Sequence, residues 1–197
     1  IYSLKSLTRL RETLVKERSS HLVKLTNIMD KIFPEFKPFF KGRFTTTAMY
    51  ILKKYKTPKR ISKLTDEEII SLKKVSRATP SSKFVKLREL AKNTIGHTDD
   101  FQLIQLKSIL NIYETIDKEI SEIESKIETI MKEYHTNITS IPGISTISAA
   151  QIIGEFGDFN KFSSASKLLA FAGLDPSTIE SGTMVQKGKM VKRGSPH

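Results

Sequence analysis

A long run of apolar residues spaced three and four positions apart constrains the fold of this chain more than any other feature. The run has nine members: Leu106, Ile109, Tyr113, Ile116, Ile120, Ile123, Ile127, Ile130 and Tyr134. Because residues at this spacing share one face of an α-helix, the run predicts an uninterrupted helix with a heptad seam. A helix of this length needs a partner along its apolar face. Isoleucine at both seam positions leaves the number of strands open.

Residues 4–32 show a second helical pattern and supply a candidate partner for this seam. Leucine and isoleucine recur there at helical spacing, and Arg9, Arg11, Lys16, Arg18 and Lys24 occupy much of the remainder. The two helices pair either as an antiparallel hairpin within one chain or through a second copy of the chain. The second arrangement predicts a homo-oligomer.

Between the two long helices lies a stretch in which proline and glycine forbid continuous helix. Pro34, Pro38 and Gly42 interrupt it, and five phenylalanines cluster there, which predicts a hydrophobic plug, with nucleobase stacking as the alternative. Residues 45–96 read as short helices in a lysine-rich section. Thr65 and Glu68 form a capping box, and Gly96 is predicted as a helix C-cap.

The charge balance points to an anionic partner. Lys and Arg number 33 against 21 Asp and Glu, a formal net charge of +12, and nucleic acid is the commonest partner of such a chain. The chain has no cysteine, which excludes disulfides and thiolate metal sites and favours a cytoplasmic location. No apolar run is long enough for a membrane span or a signal peptide, so no membrane partner is expected. The chain has four histidines, His21, His97, His135 and His197. They are far apart in the sequence, so we expect no metal site.

The segment "ITSIPGISTISA", residues 138–149, is similar to a helix-hairpin-helix, a motif that binds the backbone of nucleic acids. Pro142 and Gly143 predict a tight turn, and the helix after it is expected to offer the N–H groups of residues 145–148 to a phosphate. The candidate binding residues are Gly143, Ile144, Ser145 and Thr146. The alternative is an ordinary helix–helix connection. "GDFNKFSSASKLLAFAGL" then predicts a turn, an N-cap at Ser163 or Ser164, a short buried helix and a stop at Gly173.

The closing residues resemble the C-terminal domain of a bacterial insertion-sequence transposase family that also contains the Piv-type DNA invertases. The resemblance is close over residues 141–197, where the Pro-Gly turn, "FAGLDP", the "SG" pair and "KRG" carry it. Residues 4–134 fit the helical linker of that family more loosely.

The resemblance implies DNA strand exchange by a longer protein. Family members carry a RuvC-like N-terminal domain with acidic metal ligands, then a coiled coil, then this serine-bearing domain, and some are directed by a structured guide RNA. The implied partners are therefore DNA and, in some members, RNA, in the nucleoid of a bacterial cytoplasm. Mg²⁺ is implied for the acidic domain and not for this chain. Since Ile1 already lies in helical pattern, we expect a piece of a transposase that is inactive alone.

The resemblance also implies a catalytic serine. By position it is Ser181, in "ESG", with Ser177 as the alternative assignment. The family serine attacks a DNA phosphodiester and forms a covalent intermediate. Gly182 would leave space for the scissile phosphate. Its charge would be neutralised by Lys187, Lys189, Lys192 and Arg193.

These observations predict an all-α fold with two parts. Residues 1–136 are predicted to form a long antiparallel helical hairpin or coiled coil with a small helical insert at about 45–96, and residues 137–197 a compact domain similar to a helix-hairpin-helix. The predicted function is DNA transposition or site-specific recombination. The alternatives are a non-catalytic nucleic-acid-binding module and a scaffold whose seam forms oligomers.

Overall fold

A computed structural model describes residues 2–76, 79–134 and 136–174 in full and residues 176–181 and 184–190 as backbone. Two compact units are present: one consists of residues 14–120, the other of residues 1–13 and 121–197. Each of the two longest helices therefore contributes one portion to each unit. The predicted division at residues 136/137 stays a prediction.

Helices dominate the described chain, which confirms the predicted helical fold class. They are α1 (Tyr2–Ile32), α2 (Phe36–Phe39), α3 (Thr46–Tyr55), α4 (Pro58–Ile61), α5 (Asp66–Val75), α6 (Ser81–Lys92), α7 (Asp100–Glu133), α8 (Thr146–Phe156) and α9 (Ala165–Phe171). Single 3-10 turns lie at Ile138–Ser140 and Phe159–Lys161. An antiparallel hairpin of β1 (Pro176–Ser181) and β2 (Met184–Met190) follows, and no strand was predicted.

The predicted long helix is α7, with 34 residues, but its buried stripe departs from a strict heptad. The buried residues are Leu106, Leu110, Ile116, Ile120, Ile123, Ile127 and Met131. The predicted seam residues Ile109 and Ile130 are half-buried, and Leu110 and Met131 take their places. Met131 replaces Ile130 because a helix with 3.6 residues per turn drifts away from a seam of period 3.5. At the other end of α7, Leu110 is part of the core of the unit of residues 14–120, and Ile109 packs against that core. The coiled coil itself stays a prediction.

Ion pairs connect α1 to α7 in each unit. In the unit of residues 14–120, Arg18 Nη1 lies 2.6 Å from Asp117 Oδ1. In the other unit, Arg11 Nη2 lies 2.6 Å from Glu124 Oε1. All four side chains are partly exposed, so each pair contributes little stability and mainly selects which residues face each other.

The phenylalanine-rich segment forms the predicted hydrophobic plug in the core of the unit of residues 14–120. Phe33 and Phe36 are fully buried, and Phe40 is nearly so. The Phe36 ring centroid lies 5.6 Å from that of Phe33 and 4.9 Å from that of Phe40, in the tilted geometry that aromatic pairs prefer. Burial of this kind leaves these rings unavailable for stacking on nucleobases.

Local capping rules were confirmed at α5 but failed at Gly96. Thr65 Oγ1 accepts from the Glu68 amide, and a Glu68 carboxylate oxygen accepts from the Thr65 amide, as in a capping box. Helix α6 ends at Lys92, so the predicted cap at Gly96 is wrong. Gly96 instead lies against the end of α1, where an added Cβ would stand 2.2 Å from the Ile32 carbonyl oxygen.

Helix α9 differs from the predicted buried helix. Ser164, one of the two predicted N-cap residues, caps the helix with its side chain. Gly173, with φ +71°, follows the end of the helix. None of its residues is buried, and Leu169 and Phe171 are 49% and 45% exposed. A helix of seven residues makes two turns, and the aromatic contacts of Phe171 with Phe156 and Phe162 cover one edge of it.

We predict that Gly96→Ala lowers the free energy of unfolding by about 1–3 kcal/mol, because the new methyl group collides with the backbone of Ile32. Chemical denaturation followed by circular dichroism measures the change. Ile95→Ala is the matched control, since the neighbouring Ile95 is 87% exposed and its truncation should cost little. Equal stability of the Gly96→Ala variant and the parent chain would contradict the close contact.

Candidate nucleic-acid interface

The predicted tight turn is a type II β-turn at residues 141–144. The Ile144 amide donates to the Ile141 carbonyl at 3.1 Å, Pro142 occupies the second position and Gly143 the third, with φ +91°. Gly143 is exposed, and a Cβ there would meet no atom within 4 Å. Glycine is therefore required by the backbone angle and not by crowding, and the turn is exposed to solvent.

The first turn of α8 follows immediately, with Ser145 as its N-cap. Ser145 Oγ accepts from the Ser148 amide at 3.2 Å and lies 3.0 Å from Ser148 Oγ. The expectation that all four amides of residues 145–148 are available is therefore wrong for Ser148, because the cap occupies it. The amides of Thr146 and Ile147 find no acceptor among the described residues, as is usual in the first turn of a helix.

The first half of the expected helix-hairpin-helix is shorter than the motif requires. Helix α7 ends at Glu133, and the turn is preceded by the single 3-10 turn Ile138–Ser140. One regular helix, α8, thus adjoins the hairpin turn on its C-terminal side. The motif stays a prediction, while the exposed turn and the two open amides are the parts of it that the structure describes.

Helix α8 is held against the start of α1 by close backbone packing and by the ion pairs of Glu155 with Arg9 and Lys5. Ala149, Ala150 and Ile153 are buried, and an added Cβ at Gly154 would lie 2.9 Å from the Lys5 backbone nitrogen. Small side chains thus allow two helical backbones to approach closely. The helix whose first turn is exposed is therefore supported by its packing against α1.

Glu155 supplies the ionic part of this support. Its carboxylate, 7% exposed, accepts from Arg9 Nε at 2.7 Å and from Arg9 Nη2 at 2.9 Å, and Lys5 Nζ lies 3.4 Å away. The bidentate hydrogen bond from Arg9 is the main cause that lowers the pKa of Glu155 to about 2. Sequence reasoning missed this contact, for which the one local signal is a single acid in the apolar stretch "QIIGEF".

The predicted catalytic residue lies at the end of the β-hairpin. Ser181 is the last residue of β1 and pairs with Met184, while Gly182 is outside the described residues. Ser177, the alternative serine, stands at the irregularity between the pairs Pro176–Met190 and Thr178–Lys187.

The predicted cations are described in part. Lys187 and Lys189 belong to β2, and the partner of Lys187, Thr178, precedes Ser181 by three residues, roughly 10 Å along the strand. Lys192 and Arg193 lie outside the described residues. The backbone thus places Ser181 and two of its predicted cationic companions on one hairpin.

The side chains and helices of the described residues lack two features: a group of metal ligands and a membrane-spanning helix. The described part of the chain contains no group of three or more histidine, aspartate or glutamate side chains arranged to hold a metal ion. Within the same residues, no helix combines the length and apolarity needed to cross a membrane.

Comparison with known proteins finds similarity to transposases. A family profile described as the transposase IS116/IS110/IS902 family matches residues 135–197, which contain the turn, α8, α9 and the hairpin. An uncharacterized 43.6 kDa protein of insertion element IS110 from Streptomyces coelicolor is 28% identical over 93 residues. That match covers 46% of this chain and 23% of the relative, so the chain spans less than a quarter of the relative's length.

We predict that Glu155→Gln destabilises the chain by about 2 kcal/mol at pH 7, since it leaves Arg9 and Lys5 without their carboxylate. The folded-state pKa of Glu155 is depressed to about 2, so its contribution is present above the unfolded-state value near 4.5 and is lost as the pH falls toward 2. The difference in the free energy of unfolding between the parent and the Glu155→Gln variant should therefore become smaller as the pH falls from 4.5 to 3. Urea denaturation at each pH measures this difference.

Glu128→Gln is the control for this experiment, because Glu128 is an exposed carboxylate in the same unit. It should change stability little at any pH in this range. A gap between the parent and the Glu155→Gln variant that stays constant from pH 7 to 3 would show that the Glu155 carboxylate is not held by Arg9.

Proposed function

We propose that this chain is part of a transposase that moves DNA of an insertion sequence. The observation that carries the proposal is the family match over residues 135–197, since this region holds both the exposed turn and Ser181. The relative from insertion element IS110 and the net charge of +12 support it. On this proposal the protein acts in the cytoplasm on chromosomal or element DNA.

The Pro-Gly turn and the start of α8 bind the DNA backbone in this proposal. Gly143 presents exposed backbone without a side chain, and Thr146 carries one of the two open amides. Helix N-termini favour phosphate because their unpaired N–H groups and the helix dipole both attract negative charge. Ile144 and Ser145 fix the turn and the cap that position these groups. Contacts of this kind are independent of base sequence.

Ser181 acts as the nucleophile in this proposal. Its hydroxyl oxygen attacks a phosphorus of the DNA backbone, the bond from that phosphorus to one sugar oxygen breaks, and the strand is joined covalently to the serine. The serine proton passes to a base, and the departing sugar oxygen takes up a proton. Gly182 leaves room for the phosphate, and the cations that neutralise its charge are Lys187, Lys189, Lys192 and Arg193.

The rest of the active site is proposed to lie in another part of the intact protein. Serine is a weak nucleophile, and a bound Mg²⁺ would lower the pKa of its hydroxyl and stabilise charge on the phosphate. The described residues offer no cluster of carboxylates for that ion. The chain then supplies the serine and the cations of a composite site, and a guide RNA and a second copy of the chain are further proposed partners.

A non-catalytic binding module is the second candidate function. The open turn at Gly143 and the two free amides of α8 favour it, because they suffice for backbone binding without any contribution from Ser181. The two functions differ in whether Ser181 ever becomes bonded to DNA.

We predict that Ser181→Ala in the intact transposase containing this chain abolishes strand transfer and leaves DNA affinity within about twofold, because the change removes the nucleophile and no phosphate-binding cation. Strand transfer and binding are measured on the same element-end duplex. A nicked suicide substrate should trap a covalent adduct, which mass spectrometry maps to Ser181.

Ser177→Ala is the matched control and should retain strand transfer. An adduct on Ser177, or transposition that survives Ser181→Ala, would refute the assignment of the nucleophile. Normal binding without any adduct under turnover conditions would favour the non-catalytic module.

We predict that Gly143→Val weakens binding of this chain to duplexes of unrelated sequence by a similar factor, roughly tenfold, because valine is strained at φ +91° and shields the turn. Gly42→Val is the matched control, since Gly42 has φ +74° and equally open surroundings in the other unit. Fluorescence anisotropy with two unrelated duplexes measures the effect. Equal losses in both variants would indicate general destabilisation and contradict a role for the turn.

A further inference from the structure

The positive charge of the chain is concentrated in the short helices. Between residues 37 and 92 the sequence has sixteen lysines and arginines against four acids, an excess as large as that of the whole chain. The unit of residues 14–120 contains all of this section. The remainder of the chain is therefore close to neutral. An anionic partner would be attracted to residues 37–92 more than to the rest of the chain.

The densest part of this section is residues 53–63, "KKYKTPKRISK", which we call the basic segment. It contains six cations and no acid in eleven residues, and it comprises the end of α3, a connecting turn, α4 and the residues that follow. All six cationic side chains belong to exposed residues, whereas the apolar members Tyr55 and Ile61 are 3% and 0% exposed. The surface of the segment is thus cationic without apolar anchors.

Acids of the protein neutralise two of the six cations. Lys53 Nζ lies 2.5 Å from Glu114 Oε1, and Arg60 Nη2 lies 2.6 Å from Glu68 Oε1. The other four cations make no ion pair with the described residues: Lys54, Lys56, Lys59 and Lys63. Four positive charges therefore stay available to an external anion.

A buried aromatic ring orders part of the basic segment. Lys54 Nζ lies 5.3 Å and the Arg60 guanidinium carbon 5.5 Å from the centroid of the Tyr55 ring, within the range of cation–π attraction. Because Tyr55 is held in the core, these two cations are positioned before any partner arrives. Less side-chain entropy is then lost when Lys54 binds an anion.

The turn in the middle of the segment holds a lysine in a strained conformation. Lys56 has φ +60° and ψ −44°, and the Thr57 amide donates to the Tyr55 carbonyl at 2.6 Å across it, which defines a γ-turn of the rare positive-φ type. The Lys56 amide donates to the Leu52 carbonyl at 2.9 Å. A side chain at this position costs roughly 1–2 kcal/mol relative to glycine, and strain of this kind clusters at binding sites.

Helix α4 and the turn that follows it carry the remaining two lysines, Lys59 and Lys63. Lys59 and Lys63 are four residues apart, and the Lys63 amide donates to the Arg60 carbonyl, which continues the helical turn. Thr57 caps the start of α4 by accepting from the Arg60 amide at 3.1 Å. The short helix is therefore fixed at its first turn, and Lys59 and Lys63 both belong to a hydrogen-bonded stretch of backbone.

We propose that the basic segment binds the phosphodiester backbone of a nucleic acid through Lys54, Lys56, Lys59 and Lys63. Exposed cations on an ordered backbone without apolar anchors suit a row of phosphates, whereas a membrane-surface segment would add exposed apolar side chains. The contact is independent of base sequence. It does not rest on the proposed transposase function, because it involves neither Ser181 nor the turn at Gly143.

The test compares two charge-matched variants of this 197-residue chain. In the first, Lys54, Lys56, Lys59 and Lys63 are replaced by Gln; in the second, four exposed lysines from other elements are replaced by Gln, namely Lys107, Lys126, Lys132 and Lys161. Binding to a labelled duplex DNA and to a labelled RNA hairpin is measured by anisotropy at several NaCl concentrations. Circular dichroism melting checks that both variants fold.

We expect the first variant to lose about tenfold or more in affinity near 100 mM salt and to reduce the slope of log K against log salt by about 2 to 4. The control variant should lose much less on both measures. A larger loss with DNA than with RNA, or the reverse, identifies which nucleic acid the segment contacts. Equal losses in the two variants would show a general charge effect and overturn the proposal.

Binding to phosphatidylserine vesicles that equals or exceeds binding to DNA and RNA would also overturn the proposal.

The outcome of this lysine experiment can be distinguished from the outcome of the test of Ser181. If the lysines matter for binding but no Ser181 adduct forms, this inference stands and the assignment of Ser181 as the nucleophile falls. If Ser181 forms its adduct and the lysine variant binds normally, the reverse holds.

Discussion

The fold depends on covering the apolar stripe of α7, which has 34 residues and would expose a row of leucine and isoleucine if it stood alone. In the unit of residues 14–120, Leu106 and Leu110 join the core that α1 and the short helices build around Phe33 and Phe36. In the other unit, Ile123, Ile127 and Met131 are buried in the same way. Burial of each such side chain stabilises the folded state by roughly 1.5–3 kcal/mol, so this stripe outweighs the partly exposed ion pairs along the same helix.

Features that depend on a few neighbouring residues could be predicted from the sequence. The two long helices, the capping box at Thr65, the turn at Gly143 and the phenylalanine plug follow from spacing and composition. Gly96, the exposure of α9 and the β-hairpin could not be predicted in this way. Gly96 touches a residue 64 positions earlier, which no local pattern reveals. The strands of the hairpin are short and rich in polar residues, so they lack the alternation that identifies a strand.

In the candidate site, too, the local features could be predicted from the sequence and the contacts between distant residues could not. The turn and the cap of α8 follow from local chemistry, and the occupied amide of Ser148 follows from Ser145 being a capping residue. The ion pair of Glu155 with Arg9 joins residues 146 positions apart and was missed. No physical pattern in the sequence distinguishes Ser181 from the other serines, and its proposed role rests on the resemblance alone. The sequence showed that the basic segment is rich in lysine. The burial of Tyr55 and the strained backbone of Lys56 are seen only in the structure.

The division of the chain into units has a consequence for its biosynthesis. Residues 14–120 are contiguous, so this unit can fold as soon as residue 120 has left the ribosome. The other unit needs the first thirteen residues together with residues beyond 120, and its Arg9 must wait for Glu155 to emerge. During that interval the start of α1 has no carboxylate partner from α8, and its Leu4 lacks the helix that covers it in the finished protein.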